Sequence, residues 1–276
     1  MIPSITSIEA ASWETPLVLR GPFAETIPQA HRLGYPGIEL HIKDSDALDH
    51  AALAACLQEN GVQLTSIGTG PSYSQDQVFL THPDASVRAE ALRRMQGHIR
   101  LGAELGSVVI VGLMKGQRRD CGPEAPYDAY LDAGLEQCLA WAEAQGVILA
   151  FEVIDRFESD WLNTVEEGMA LLDRFRSPSL TLHLDTFHMN IEEAELTQAI
   201  LRAKGHIGHI HVADSDRWYP GHAHYDFPAT FAALRQAGYQ GAVALESFLY
   251  PDPETAARRS LERIAPLCTP DSPAGA

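Results

Sequence analysis

The sequence predicts one α/β domain with the (β/α)8 TIM barrel fold. The chain has 276 residues, of which 45% are hydrophobic, and this size suits one large barrel better than two small domains. Short apolar runs alternate with longer segments whose apolar residues recur at helical spacing. Several helical segments end at a glycine, where a helix commonly closes in the left-handed conformation: Gly34, Gly61, Gly146 and Gly238.

Eight strands are predicted, each followed by a helical segment. The strands are the apolar runs at 3–8, 37–42, 62–67, 107–113, 147–153, 179–185, 207–213 and 242–247. Helical spacing is clearest at 47–60, 84–105, 127–145, 164–175 and 227–237. We assign residues 1–268 to the barrel and expect 269–276, which are small, polar and proline-containing, to form a flexible tail.

The charge excludes several classes of partner. The formal charge is −17, from 37 acidic and 20 basic residues, whereas a nucleic-acid binder needs a basic face to neutralise phosphates. No apolar run approaches the roughly 20 residues that cross a bilayer. The four cysteines are widely spaced and are expected to be reduced thiols: Cys56, Cys121, Cys138 and Cys268. The first residues lack a signal-peptide pattern. We therefore expect a soluble, cytoplasmic protein that binds neither nucleic acid nor membrane.

Four acidic or imidazole side chains end strand-like runs, and they predict a metal site. They are Glu152, Asp185, His211 and Glu246. The carboxyl-terminal ends of barrel strands meet at one face, where barrel enzymes carry their chemistry. Carboxylates and imidazole without a thiolate favour Mn²⁺, Mg²⁺ or Co²⁺. The alternative is that such an acid only caps the next helix and the histidine packs in the core.

Two of these ligands also suggest a reaction. Carboxylates on opposite sides of a substrate can remove and return a proton, and this exchange is how an epimerase inverts a carbon centre. We propose Glu152 and Glu246 as this pair. The metal would bridge a carbonyl and a neighbouring hydroxyl and stabilise the enediolate that forms.

Several segments resemble the xylose-isomerase-like sugar isomerases and epimerases, and most closely the ketose 3-epimerase group: FEVIDRFESDWLNT, HLDTFHMNIEE, HIHVADSDRWYPGHAHYDF and ALESF. The resemblance implies that the four ligands bind Mn²⁺ or a related ion and that the two glutamates exchange a proton at C3. It also implies a homodimer or homotetramer, and contacts to substrate oxygens from Glu158, His188 and Arg217.

Two further strings, IGTGPSYSQDQVFLTHPDASVR and VVIVGLMKGQRR, resemble a branch associated with 5-keto-L-gluconate (D-tagaturonate) epimerase. A sugar-acid substrate would suit the cations expected on the loops, which are Lys115, Arg118, Arg119 and Arg217. The other interpretation is that 115–119 is a solvated loop.

Other positions carry weaker expectations. Ala223 stands where the family commonly has glycine, and the flanking His222 and His224 are interpreted as surface residues. Trp13 either walls the pocket or packs in the core. Gly68 and Gly70 lack the dinucleotide fingerprint and no helix is expected directly after them, so no nucleotide cofactor is predicted.

The leading hypothesis is a metal-dependent C3 epimerase of a free ketose or keto-sugar acid. An aldose-ketose, hydroxypyruvate or keto-inositol isomerase would use the same metal site and is the nearest alternative. A DNA-repair endonuclease of the same superfamily would need further metal ligands and a basic groove, which the charge of −17 opposes. A sugar-binding module without catalysis would not need the acid pair.

Overall fold

A computed structural model describes residues 1–122 and 125–269, and they form a closed barrel of parallel strands surrounded by helices. Each barrel strand pairs with the next one along the chain, and the last pairs with the first. The predicted fold class is confirmed. The barrel strands are β1 (Ile2–Ile8), β3 (Gly37–His41), β4 (Gln63–Gly68), β5 (Val108–Val111), β6 (Leu149–Glu152), β7 (Leu180–Asp185), β8 (Ile207–Val212) and β9 (Ala242–Leu245).

The helices follow the predicted rhythm, with several additional short ones. They are α1 (Phe23–Leu33), α2 (His50–Asn60), α3 (Gly70–Asp76), α4 (Ala85–Leu105), α5 (Arg118–Cys121), α6 (Tyr127–Gln145), α7 (Val165–Phe175), α8 (Thr186–Glu192), α9 (Leu196–Arg202), α10 (Phe227–Gln236) and α11 (Pro253–Cys268). Side chains cap several helix starts, and at α7 Thr164 and Glu167 form a reciprocal capping box. None of the helices in the described ranges is long and apolar enough to span a bilayer.

Two local features differ from the sequence prediction. A two-residue strand, β2 (Leu19–Arg20), pairs with the end of β1. A helix, α3, does begin at Gly70 directly after β4, with Pro71 in its first turn, where the fixed φ of proline suits a helix start. This helix was missed because seven residues are too few to show an apolar period. Of the predicted tail, only Thr269 lies within the described residues.

A layer of polar side chains lies inside the barrel, below the candidate site. Side chains of a strand alternate between its two faces, so residues two apart share a face. Outward-facing residues such as Ile38, Leu40 and Ile210 belong to the apolar core. The alternate residues point into the barrel, and a layer of fully buried polar side chains lies there: Ser4, Thr6, Glu39, Ser66, His183 and His209.

Candidate metal centre and active site

Four strands in succession bring the predicted metal ligands to the carboxyl-terminal end of the barrel. Glu152 and Asp185 are the last residues of β6 and β7, His211 is the last but one of β8, and Glu246 directly follows β9. In the sheet register Asp185 is paired with His211, and Glu152 with His183. Paired residues of parallel strands point to the same face, so these side chains converge above the buried polar layer.

The four predicted ligands lie close together. One ligand atom each of Glu152, Asp185 and His211 lies within 4.8 Å of the other two. Glu246 joins them through Oε2, which is 3.4 Å from Nδ1 of His211. This Nδ1 is buried and has no hydrogen-bond partner among the described residues. Carboxylate oxygens around a buried, unpartnered imidazole nitrogen are a donor set that fits a divalent metal ion.

The guanidinium of Arg217 lies between two of these carboxylates. Its Nη1 donates to Oδ2 of Asp185 at 2.6 Å, and its Nη2 donates to Oε2 of Glu246. The ring of Phe187 packs against the guanidinium, 4.7 Å from centroid to Cζ. The backbone of Arg217 has a φ of 65°, which is uncommon for a residue other than glycine. The loop after β8 therefore holds a cation among buried carboxylates, which need a neutralising partner.

The two glutamates have opposite electrostatic environments. Burial raises the pKa of Glu152, and the nearby charge of Glu246 raises it further. Burial acts in the same direction on Glu246, but His211 and Arg217 outweigh it and hold the pKa of Glu246 below its ordinary value. Paired acids whose surroundings separate their pKa values are a common arrangement for acid–base chemistry.

These groups face a cavity of about 350 Å³, a size that suits a small molecule. Three of the ligands line it directly, namely Glu152, His211 and Glu246. The facing wall comes from the loop after β1 and from the segment after β4 that includes α3, and its polar residues include Ser12, Thr15, Thr69, Ser74 and Gln75. Hydroxyl and amide groups beside apolar side chains can recognise a neutral polar ligand.

The three predicted substrate contacts, Glu158, His188 and Arg217, all line this cavity. Nδ1 of His188 lies 2.6 Å from Oδ2 of Asp155, a carboxylate that is itself buried. The second oxygen of Asp155 accepts the backbone N–H groups of Phe157 and Glu158. Asp155 therefore orients both the imidazole and the turn that carries Glu158, and sequence analysis did not identify it.

The loop cations after β5 do not face the cavity. Lys115 is fully buried, and its Nζ lies 3.4 Å from the backbone oxygen of Gly112 and 3.5 Å from that of Glu152. Arg118 forms a bidentate ion pair with Asp128, and Arg119 donates to the backbone oxygen of Glu158. Among the described residues that line the cavity, Arg217 alone carries a guanidinium or ammonium group.

The other loop residues lie outside the cavity. Trp13 is 67% exposed and borders a shallow surface groove together with Trp218 and Tyr250, so it neither packs in the core nor lines the main cavity. His222 is hydrogen bonded to Asp216, and Nδ1 of His224 lies 3.1 Å from the hydroxyl of Ser215. Both histidines therefore make contacts within the loop that follows β8.

Among the cavity residues that the sequence analysis missed, His41 and Gly112 lie beside the predicted ligands. His41, the last residue of β3, lines the cavity, and its Nε2 lies 4.0 Å from Oε1 of Glu246. Its position at a strand end was the same signal that identified the four predicted ligands. Gly112 lines the cavity directly after β5, where a Cβ would overlap Oε2 of Glu152.

Comparison with known proteins identifies close relatives of this chain. The chain is 33% identical over 228 residues to the L-ribulose 3-epimerase of Methylomonas sp. (strain DH-1), covering 81% of this chain and 78% of that protein. It is 32% identical over 237 residues to the D-psicose 3-epimerase of Agrobacterium fabrum, covering 83% and 79%.

A solved structure and a family model agree with these relatives. The structure of D-allulose 3-epimerase from Methylomonas sp. in complex with D-allulose superposes with a TM-score of 0.80 at 27% identity, covering 96% of each chain. The model of the xylose isomerase-like TIM barrel family matches residues 27–267. This match extends from the first helix to the last, and the chain therefore belongs to the xylose isomerase-like TIM barrel family.

Proposed function

We propose that this protein is a ketose 3-epimerase that depends on a divalent metal ion. Its membership of the sugar isomerases and epimerases follows from relatives named as epimerases of L-ribulose and D-psicose, each of which it matches over more than three quarters of their length. The observation that carries the proposal is the convergence of Glu152, Asp185, His211 and Glu246 at one small-molecule cavity.

These four residues would hold the metal ion. Mn²⁺ is the favoured ion, with Mg²⁺ and Co²⁺ as alternatives, because the donors are carboxylate oxygens and one imidazole nitrogen. Held there, such an ion would supply Lewis-acid polarisation of a carbonyl and a neighbouring hydroxyl, which would make the adjacent C–H more acidic.

The chain's own residues supply the proton transfers. One of Glu152 and Glu246 removes the proton at C3 of the ketose, and the other delivers a proton to the opposite face of the same carbon. The net change is an inversion at C3, without oxidation or reduction. Glu158, His188 and Arg217, which line the same cavity, are proposed to bind the substrate oxygens and so fix C3 between the two carboxylates.

The charge of the cavity favours a neutral ketose over a keto-sugar acid. Lys115, Arg118 and Arg119 are engaged with backbone or carboxylate partners, and none of the three lines the cavity. Arg217 is already paired with Asp185 and Glu246. Apart from the proposed metal ion and Arg217, which two carboxylates already share, a substrate carboxylate would therefore meet acidic side chains with no further side-chain cation to pair with, which is unfavourable.

Proton NMR in D₂O tests this function. The metal-stripped protein, supplied with Mg²⁺, is incubated separately with D-fructose, D-tagatose and D-tagaturonate. We expect deuterium at C3 together with the epimeric ketose, and faster conversion of a neutral ketose than of D-tagaturonate. Deuterium at C1 or C2 with an aldose product would identify an isomerase instead.

Replacement of either glutamate tests the two-base mechanism. In Glu152→Gln and Glu246→Gln we expect kcat to fall by about 10²- to 10⁴-fold, because an amide neither removes nor delivers a proton. Glu136→Gln, on the exposed face of α6, is the matched control and should keep the native rate. Native turnover in either cavity variant would exclude its assigned role.

A further inference from the structure

One buried carboxylate beneath the cavity takes no part in the proposed reaction. Glu39 lies within β3, its side chain points into the barrel, and it is 0% exposed. An isolated carboxylate in such a place would be strongly unfavourable unless it were neutralised and hydrogen bonded. Its partners are therefore informative about why it is there.

Glu39 lies at the centre of three imidazoles and one hydroxyl. Oε1 lies 2.7 Å from Nε2 of His41 and 2.8 Å from Nε2 of His211. Oε2 accepts from the hydroxyl of Ser66 at 2.5 Å and lies 2.7 Å from Nε2 of His209. These four partners come from β3, β4 and β8. The carboxylate joins strands on separate parts of the barrel wall.

This arrangement decides which ring nitrogens carry protons. Three imidazole nitrogens and one hydroxyl, all of which can donate, lie within 2.8 Å of the two carboxylate oxygens of Glu39. An ionised carboxylate only accepts hydrogen bonds, so the Nε2 atom of each facing imidazole must be a donor. In His211 the proton is then held on Nε2, and Nδ1 is the nitrogen left for another ligand.

The free nitrogen of His211 points toward the proposed metal ligands. Nδ1 is buried, lacks a hydrogen-bond partner among the described residues, and lies 3.4 Å from Glu246 and 4.0 Å from Asp185. Histidine ligands of metal ions commonly donate their other N–H to a carboxylate, which fixes both the ring and its tautomer.

We propose that Glu39 is a positioning residue, which holds His211 with its Nε2 protonated and its Nδ1 directed at the metal site. This inference rests on the proposed function, because it requires His211 to be a metal ligand. Glu39 touches neither substrate nor metal in this role. It acts through the imidazole, and His41 and His209 share the same carboxylate.

Calorimetric titration with MnCl₂ tests the proposal. The metal-stripped native protein is compared with Glu39→Gln, which keeps the shape but replaces one acceptor oxygen with a donor. We expect Glu39→Gln to bind Mn²⁺ about 10- to 100-fold more weakly. At saturating Mn²⁺ it should recover much of the native kcat, because the catalytic glutamates are unchanged. Ser66→Ala removes a hydrogen bond to the same carboxylate but none to His211, and should bind Mn²⁺ within about threefold of native.

The outcomes separate this proposal from the proposed function. A native protein that epimerises without metal and binds no Mn²⁺ would overturn the metal site itself. A native protein that needs Mn²⁺, beside a Glu39→Gln variant of equal Mn²⁺ affinity, would overturn only the role of Glu39.

A second measurement needs no variant and decides the matter if Glu39→Gln fails to fold. Long-range ¹H–¹⁵N correlation spectra of the native protein, saturated with Mg²⁺, report which ring nitrogen of His211 is protonated. We expect a proton on Nε2 and none on Nδ1. A proton on Nδ1 in the Mg²⁺-saturated protein would overturn the proposal.

Discussion

At the scale of single residues, the site depends on the absence of a side chain as much as on the ligands themselves. Gly112 directly follows β5, beside β6, and the carboxylate of Glu152 occupies the space that a Cβ at Gly112 would take. The glycine is needed here for close approach, and a larger residue would force the carboxylate away from its neighbours Asp185 and His211.

Gly112→Ala is therefore expected to act on catalysis. We predict that kcat falls by about 10²-fold, because small misplacements of a catalytic group have effects of this size. Gly134→Ala is the matched control, since a Cβ there would meet Leu80 at an ordinary 3.5 Å and alanine favours the helix by about 0.5–1 kcal/mol. Steady-state kinetics and thermal melting check both variants. A native kcat in Gly112→Ala would show that the position of Glu152 is not critical.

At the scale of secondary-structure elements, the long helix α4 contains an imidazole that is buried without charge. His98 is 0% exposed, its Nδ1 lies 2.7 Å from the hydroxyl of Ser45, and its Nε2 has no partner among the described residues. Burial lowers the pKa of His98 to about 4. The nearby acids Asp44 and Asp46 act in the opposite direction but more weakly, and the cations Arg93 and Arg94 add to the lowering. The neutral imidazole is part of the α4 packing.

Because of His98, the free energy of unfolding should decrease in mild acid. Between pH 6.5 and 4 the unfolded chain binds a proton at His98 and the folded chain does not, so stability is lost as the pH falls through that window. The loss from this one group is on the order of 3 kcal/mol. Urea unfolding at several pH values should show a flatter dependence in His98→Gln, whereas His31→Gln, at an exposed position, should follow the native curve. Parallel curves for native and His98→Gln would contradict this.

At the scale of the whole molecule, the proposed metal ion would bind residues at the ends of four of the eight barrel strands. Its four ligands come from β6, β7, β8 and the residue after β9, and β9 closes the barrel against β1. A ligand that binds only the folded state stabilises it by mass action.

Added metal should therefore raise the melting temperature. At a Mn²⁺ concentration of 100 times Kd the expected gain is about 2.7 kcal/mol, which corresponds to roughly 5–10 °C for a chain of this size. Differential scanning calorimetry with and without Mn²⁺ measures it. His211→Ala, which removes one ligand, should lose most of the shift, and an equal shift in this variant would place the Mn²⁺ elsewhere.

The sequence by itself determined the barrel and the set of residues around its mouth. Alternating strand and helix patterns are local properties, and parallel strands joined by helices close in only a few ways. Because all strands of the barrel are parallel, their carboxyl ends share one face, and Glu152, Asp185, His211 and Glu246 were expected together for that reason.

Only the tertiary structure decided which side chains face one another. Glu39 and His211 are 172 residues apart in the chain, and nothing local indicates their contact. The loop cations show the same limit, because a substrate contact was one of two interpretations of Lys115 and Arg118, and the structure places neither side chain in the cavity lining. Strand patterns depend on neighbours along the chain, whereas these contacts depend on sheet register and loop paths, which long-range packing decides.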